Sequence, residues 1–383
     1  MKQIYMDHNA TTPLDSKVLE AMMPYLTEHF GNASSSTHIF GKIARDAVEE
    51  ARAKVAAMIR ARDVDIVFTS GATEADNMAI KGIAWAKRDK GNHIITSRVE
   101  HKAVLDSCKW LEKEGFEVTY LPVDKYAMVD PEDVRKAIND RTILVSIMYA
   151  NSEVGTIEPI SDIGEITSEK EITFHCDAVQ ALGKIAIDVD DLKIDLLSIS
   201  GHKIYGPKGI GALYLRKRVK IVPLMTGGGQ EKQKRSGTLN VPGIVGLGKA
   251  CEIAVRDMEK ESKRLIDLRN RLLNGVMKKI DHVYLNGHPE KRLPNNLNLS
   301  FDYVEGEGLI MSLKNVAVSS GSACTSQTLE PSYVLRAMGI PDATAHSSVR
   351  FGLGKSNTEE DVDYVTDALE TSVKRLRAIS PLV

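Results

Sequence analysis

Cysteine is scarce in this chain. Only Cys108, Cys176, Cys251 and Cys324 occur, far apart and with no Cys-x-x-Cys pair. That excludes zinc-site spacing and fits a reducing, cytoplasmic setting. An excess of one charge is also missing. The net charge of −2 argues against a general nucleic-acid or anionic-membrane binder. No apolar run approaches the roughly 20 residues of a membrane helix. The N-terminal Met1-Lys2-Gln3-Ile4-Tyr5-Met6-Asp7-His8 lacks the apolar core of a signal peptide. Internal repeats and low-complexity tails are absent as well. What remains is 383 residues with 43% hydrophobic and 27% charged content. That is enough for about two globular domains with a core that needs no staples.

From residue 64 to about 215, short apolar runs alternate with helical periodicity. Strands are expected at 64–69, 93–96, 116–121, 142–148, 172–176, 195–200 and 210–215, with helices such as 75–87 and 103–113 between them. This alternation predicts an α/β fold with a mostly parallel sheet covered on both faces. Ligands of such sheets bind at the C-terminal strand edge. After Thr226-Gly227-Gly228-Gly229 the pattern changes to a long amphipathic helix, about 245–277, with a break expected near Lys263. The remainder, with a strand at 297–301 and a helix at about 358–379, reads as a smaller α+β unit.

Five motifs fall where such a sheet would place chemistry. Ser70-Gly71-Ala72-Thr73 opens a helix after a strand and suits an anion at its free N–H groups; Ser70 or Thr73 also suits a helix cap. Ser200-Gly201-His202-Lys203, just past a strand, offers a lysine that desolvation can turn into an imine-forming amine. Asp177 also follows a strand. It can hold the proton of a pyridine nitrogen, or it can cap a helix with Gln180 in a capping box. His101 can stack on an aromatic cofactor or be purely structural. The stretch 227–231 with Arg235-Ser236-Gly237-Thr238 can cradle a phosphate, including a neighbouring subunit's. Cys324 sits in Ser319-Ser320-Gly321-Ser322-Ala323-Cys324-Thr325-Ser326, among residues that favour turns and mobile backbone. A reactive thiol suits such a loop better than a structural one. Cys108, Cys176 and Cys251 read as buried or inert.

The ordered motifs FTSGATEA, EHKAVLD, HCDAVQ, SGHKIYGPKGIGALY, GGGQE, RSGT, SSGSACTS, LEPSYVLRA and AHSSVRFGLG closely resemble the cysteine desulfurases of the IscS/NifS type. These are fold-type I pyridoxal phosphate enzymes of the class V aminotransferase family. The resemblance runs from Tyr5 almost to Leu382. It implies that Lys203 bonds pyridoxal 5'-phosphate and that Asp177 pairs with its ring nitrogen. His101 would stack on the ring, and Gln180 with Asn151 and Ser152 would lie near the phenolic oxygen. Ala72, Thr73, Ser200 and His202 would hold the phosphate. Thr238 would reach the phosphate of the second subunit of a homodimer. Arg350 would bind the carboxylate of L-cysteine. Cys324 would accept the sulfur, with Lys203 and His101 moving protons. The implied products are L-alanine and a Cys324 persulfide, passed to an iron–sulfur scaffold protein of the IscU type or to tRNA thiolation. No resident metal is implied, though Cys324 can transiently ligate a cluster iron. The implied domains are a large cofactor-binding domain, 14–258, and a small domain, 1–13 with 259–383, carrying a mobile Cys324 loop. Ser152 stands where the family usually has a second asparagine. Selenocysteine lyase and aminotransferase chemistry, or a non-catalytic sulfur-delivery subunit, are the rival readings.

Overall fold

The computed structural model describes residues 2–320 and 331–379; Cys324 and its neighbours 321–330 lie outside them. The strands run β1 (Ile4–Tyr5), β2 (Ile66–Thr69), β3 (His93–Ser97), β4 (Glu117–Leu121), β5 (Thr142–Ser146), β6 (Thr173–Asp177), β7 (Leu196–Ser200), β8 (Gly211–Leu215), β9 (Val283–Asn286), β10 (Asn296–Phe301), β11 (Val316–Ala317) and β12 (Ser348–Gly352). Seven of them form one sheet in the order β2-β8-β7-β6-β5-β3-β4. β3 to β7 run parallel, and only β8 opposes its neighbours. The inner strands β5, β6 and β7 are buried along their whole length, as a sheet covered on both faces requires. One face packs on a core that includes Phe174, Cys176 and Leu197, the other on one that includes Leu144, Leu196 and Leu213. The expected α/β fold with a mostly parallel sheet is borne out.

A second, antiparallel sheet, β12-β10-β9, and a parallel pair, β1-β11, stand beside it. They share a separate core of Ile4, Met6, Leu299, Phe301 and Phe351 with the C-terminal helix Glu359–Arg377.

One expectation fails. The connector is a single helix, Val241–Lys279, of 39 residues with no break near Lys263. Between Lys249 and Asn274 it contains no glycine or proline, the residues that stop helices. Its apolar stripe also has a partner at both ends. Ile244, Leu247 and Cys251 enter the core of the large sheet, whereas Leu265, Leu268, Leu272 and Val276 enter the second core. At 1.5 Å per residue the rod spans about 58 Å.

Candidate active site

The C-terminal ends of the parallel strands converge on a cavity of about 640 Å³. It is lined by Ala72, Thr73, His101, Ser152, Asp177, Gln180, Ser200, His202, Lys203 and Arg350. Ten of the residues singled out in the sequence therefore meet, although they come from positions 72 to 350.

The anion-facing wall is the start of the helix Ala72–Ala86. Its N-cap is Gly71, without a side-chain cap bond, so neither Ser70 nor Thr73 closes it. A neighbouring glycine makes the turn possible. A Cβ on Gly211 would lie 2.8 Å from the Gly71 backbone and 2.5 Å from the Ile199 carbonyl. Glu74 accepts from the Ser70 N–H (2.7 Å) and pairs with Arg235 (2.7 Å), which ties the Arg235–Thr238 stretch to this wall. His202 contacts Thr11 Oγ1 through Nδ1 (3.1 Å). Burial, helped by Lys203 and Lys208, lowers its pKa to about 4, so at neutral pH it is uncharged.

Lys203 donates to the carbonyls of Asn9 (2.5 Å) and Ala10 (2.8 Å). The same Asn9 exchanges two hydrogen bonds with Gln180, at 3.1 and 3.0 Å. Asn9 thus sets the positions of both, a role that was not legible in its short polar stretch. Asp177 ends β6, and its Oδ1 accepts from the Val179 N–H (3.0 Å). Turns follow it rather than a helix, so the capping box is not realised. Burial raises its pKa, and His101, the Val179 N–H and Lys203 oppose that rise. His101 caps the helix Lys102–Lys113, its Nδ1 accepting from the Ala103 N–H (3.1 Å). Its proton therefore belongs on Nε2.

Arg350 enters from β12. It pairs with Asp7 (2.9 Å) and donates to Ser319 Oγ (2.8 Å) and to the Ser152 carbonyl (3.2 Å). Beside it, Glu153 is fully buried, and that burial raises its pKa to about 7.

Two expected residues do not reach the cavity. Asn151 is buried, but its side chain staples its own loop. It accepts from the N–H groups of Glu153 and Val154 and donates to the Val99 carbonyl. Ser152 lines the cavity in its place. Thr238 is exposed on the surface of the chain. The three described cysteines are free and buried; burial raises Cys108 and Cys251 to about 12 and Cys176 well above its ordinary value. Asp76 was missed in the sequence. It lies deep behind Asp177, and its signal was a carboxylate on a helix face otherwise apolar at Ala79, Ile80 and Ile83.

Comparison with known proteins agrees with this geometry. The aminotransferase class-V family model matches residues 4–365. The cysteine desulfurase IscS of Methanosarcina thermophila is 57% identical over 383 residues, covering 100% of this chain and 94% of that protein. The human cysteine desulfurase is 54% identical, covering 100% of this chain and 84% of that one. The solved structure of a NifS-like protein superposes with a TM-score of 0.92 at 41% identity, over 97% of this chain and 100% of the other. SspA in complex with cysteine superposes with a TM-score of 0.83 at 39% identity, over 91% and 98%. With its cavity, its sheet order and these relatives in agreement, the chain belongs to the aminotransferase class-V family, among the cysteine desulfurases of the IscS/NifS type.

Proposed function

We propose that the protein is a pyridoxal 5'-phosphate-dependent cysteine desulfurase, which moves sulfur from L-cysteine to Cys324 and releases L-alanine. The observation that carries this reading is the meeting of Lys203, Asp177, His101 and Arg350 around one cavity. The residues fit the cofactor. A buried carboxylate would pair with a ring nitrogen, an amine lines the same cavity, and a helix start with two hydroxyls suits a phosphate. Ala72, Thr73, Ser200 and His202 would hold that phosphate, and Gln180 and Ser152 the phenolic side of the ring. Bound there, the cofactor supplies an electron sink for charge developing at the substrate Cα.

The chain's own groups do the rest. The Arg350 fork binds the substrate carboxylate and sets its orientation. The Lys203 amine would remove the Cα proton, and Asp177 would hold the proton on the ring nitrogen. His101 Nε2 is placed to pass protons on. The Cys324 thiolate attacks the substrate sulfur. A sulfur–sulfur bond forms as the carbon–sulfur bond breaks, and the carbon keeps the electron pair and is protonated to alanine.

Thr238 is exposed, and so are the apolar Leu19, Met23, Leu26, Phe30, Ile39 and Phe40 near the N-terminus. This supports a homodimer in which Thr238 reaches the partner's phosphate. The separate cores support a division into 14–258 and 1–13 with 259–383. The free thiols support a cytoplasmic setting. A scaffold protein of the IscU type, for iron–sulfur cluster assembly, is the proposed sulfur acceptor.

Incubation of the purified protein with L-cysteine, with absorbance, alanine and sulfide followed together, tests this. Lys203→Ala should lose the near-visible band of the lysine-linked cofactor. Cys324→Ala should stay yellow and release no sulfide. Full turnover by Cys324→Ala would refute its role.

A further inference from the structure

Behind Asp177 lies a second carboxylate that has no charged cation as a partner among the described residues. Asp76, on the helix Ala72–Ala86, is 0% exposed. One oxygen of Asp76, one of Asp177 and a ring nitrogen of His101 lie within 4.8 Å of one another. The groups facing Asp76 are Asp177 and His175 from β6, Ser198 from β7, and Glu100 with His101 from the segment after β3. His175 Nε2 is 3.6 Å from Asp76 Oδ1, but it is also 3.0 Å from Ser198 Oγ, and Nδ1 is 2.8 Å from Ser146 Oγ. Burial lowers the His175 pKa to about 3, so it brings no charge. The Ser198 hydroxyl opposes the rise of the Asp76 pKa, but burial and the charge of Asp177 outweigh it. Neither Asp76 oxygen accepts a well-formed hydrogen bond among the described residues.

Two carboxylates this close in a dry interior cannot both ionise. Asp177 has the stabilisers: the Val179 N–H, His101 and Lys203. Asp76 has burial and the charge of Asp177 against it, and both push its pKa up. Glu100 does not change this balance: burial raises its pKa to about 8, so at neutral pH it is mostly uncharged.

We propose that Asp76 is a neutral carboxylic acid, a proton-holding positioning residue that leaves Asp177 as the single ionised carboxylate opposite the cofactor nitrogen. Its use, though not its protonation, rests on the cofactor reading above. Were Asp76 ionised, two negative charges would face the ring nitrogen and Asp177 would be driven toward protonation. With the proton parked on Asp76, Asp177 can take its cationic partner without gaining or losing a proton.

Infrared difference spectroscopy on the purified full-length protein, with and without carboxyl-13C aspartate, reads this directly. The expected result at neutral pH is a protonated-carboxyl band that shifts with the label and vanishes in Asp76→Asn. No labelled band, or one that survives Asp76→Asn, overturns the proposal. Denaturation gives a second reading. The folded protein keeps the Asp76 proton, whereas an unfolded aspartate loses it above a pKa of about 3.9. Wild-type stability at this site is therefore complete below that value and falls as pH rises toward the higher folded pKa. Relative to wild type, Asp76→Asn should gain about tenfold in its folding constant per pH unit. A pH-independent gap between the two would also overturn the proposal. A colourless protein would count against the cofactor reading and leave both measurements on Asp76 intact.

Discussion

Arg350 carries the substrate reading at the scale of one side chain, and its fork is held before any substrate arrives. Asp7, Ser319 and the Ser152 carbonyl fix its plane. A lysine would keep the charge and lose the two-pronged geometry. Arg350→Lys should therefore raise the KM for L-cysteine by about tenfold or more, since hydrogen bonds to charged groups contribute about 1.5–3 kcal/mol, while the cofactor stays bound. Steady-state kinetics with an absorbance spectrum checks both halves. Residues of this kind were legible when an apolar strand announced them, as β6 does for Asp177 and β7 for Lys203. Asp76, Asn9 and Asp7 were not. Their roles come from what packs across the sheet or between the two units, and a one-dimensional pattern does not carry that. Asn151 shows the same limit in reverse: its motif suggested a ligand, and its side chain serves its own loop.

Among the elements, the loop after Gly229 depends on one buried ion pair. Glu231 accepts from both terminal nitrogens of Arg52 (2.9 and 2.8 Å) and from the Phe68 N–H (2.8 Å) on β2. The loop leading to Arg235 and Thr238 is thereby pinned to the strand that precedes the proposed phosphate-binding turn. Glu231→Ala would leave the buried Arg52 guanidinium only the longer contact to the exposed Glu49 (3.2 Å) in place of its buried, two-pronged carboxylate. It should cost about 3–5 kcal/mol in denaturant unfolding. Retention of wild-type stability would show that the pair is dispensable. The strands and most long helices were readable because alternation and periodicity are local. The expected break near Lys263 was not there, because charged residues on the exposed side of a helix look like a gap when the partner of the buried side is unknown. His101 as a helix cap was equally hidden, since histidine is an uncommon choice for that position.

For the whole molecule, the proposed homodimer would cover the exposed apolar side chains of the helix Ser16–Thr27 and of the segment to Phe40. Met23→Glu combined with Leu26→Glu should shift the protein from dimer to monomer in sedimentation. Cofactor affinity should fall with it if Thr238 serves the partner's site; an unchanged dimer would move the interface elsewhere. The unbroken rod Val241–Lys279 has a separate consequence. Each of its ends is a wall of a different core, so neither core can lose its packing without exposing one end of the same helix. Helix formation is cooperative along its length. The two units should therefore melt together, in one calorimetric transition, despite having separate hydrophobic interiors.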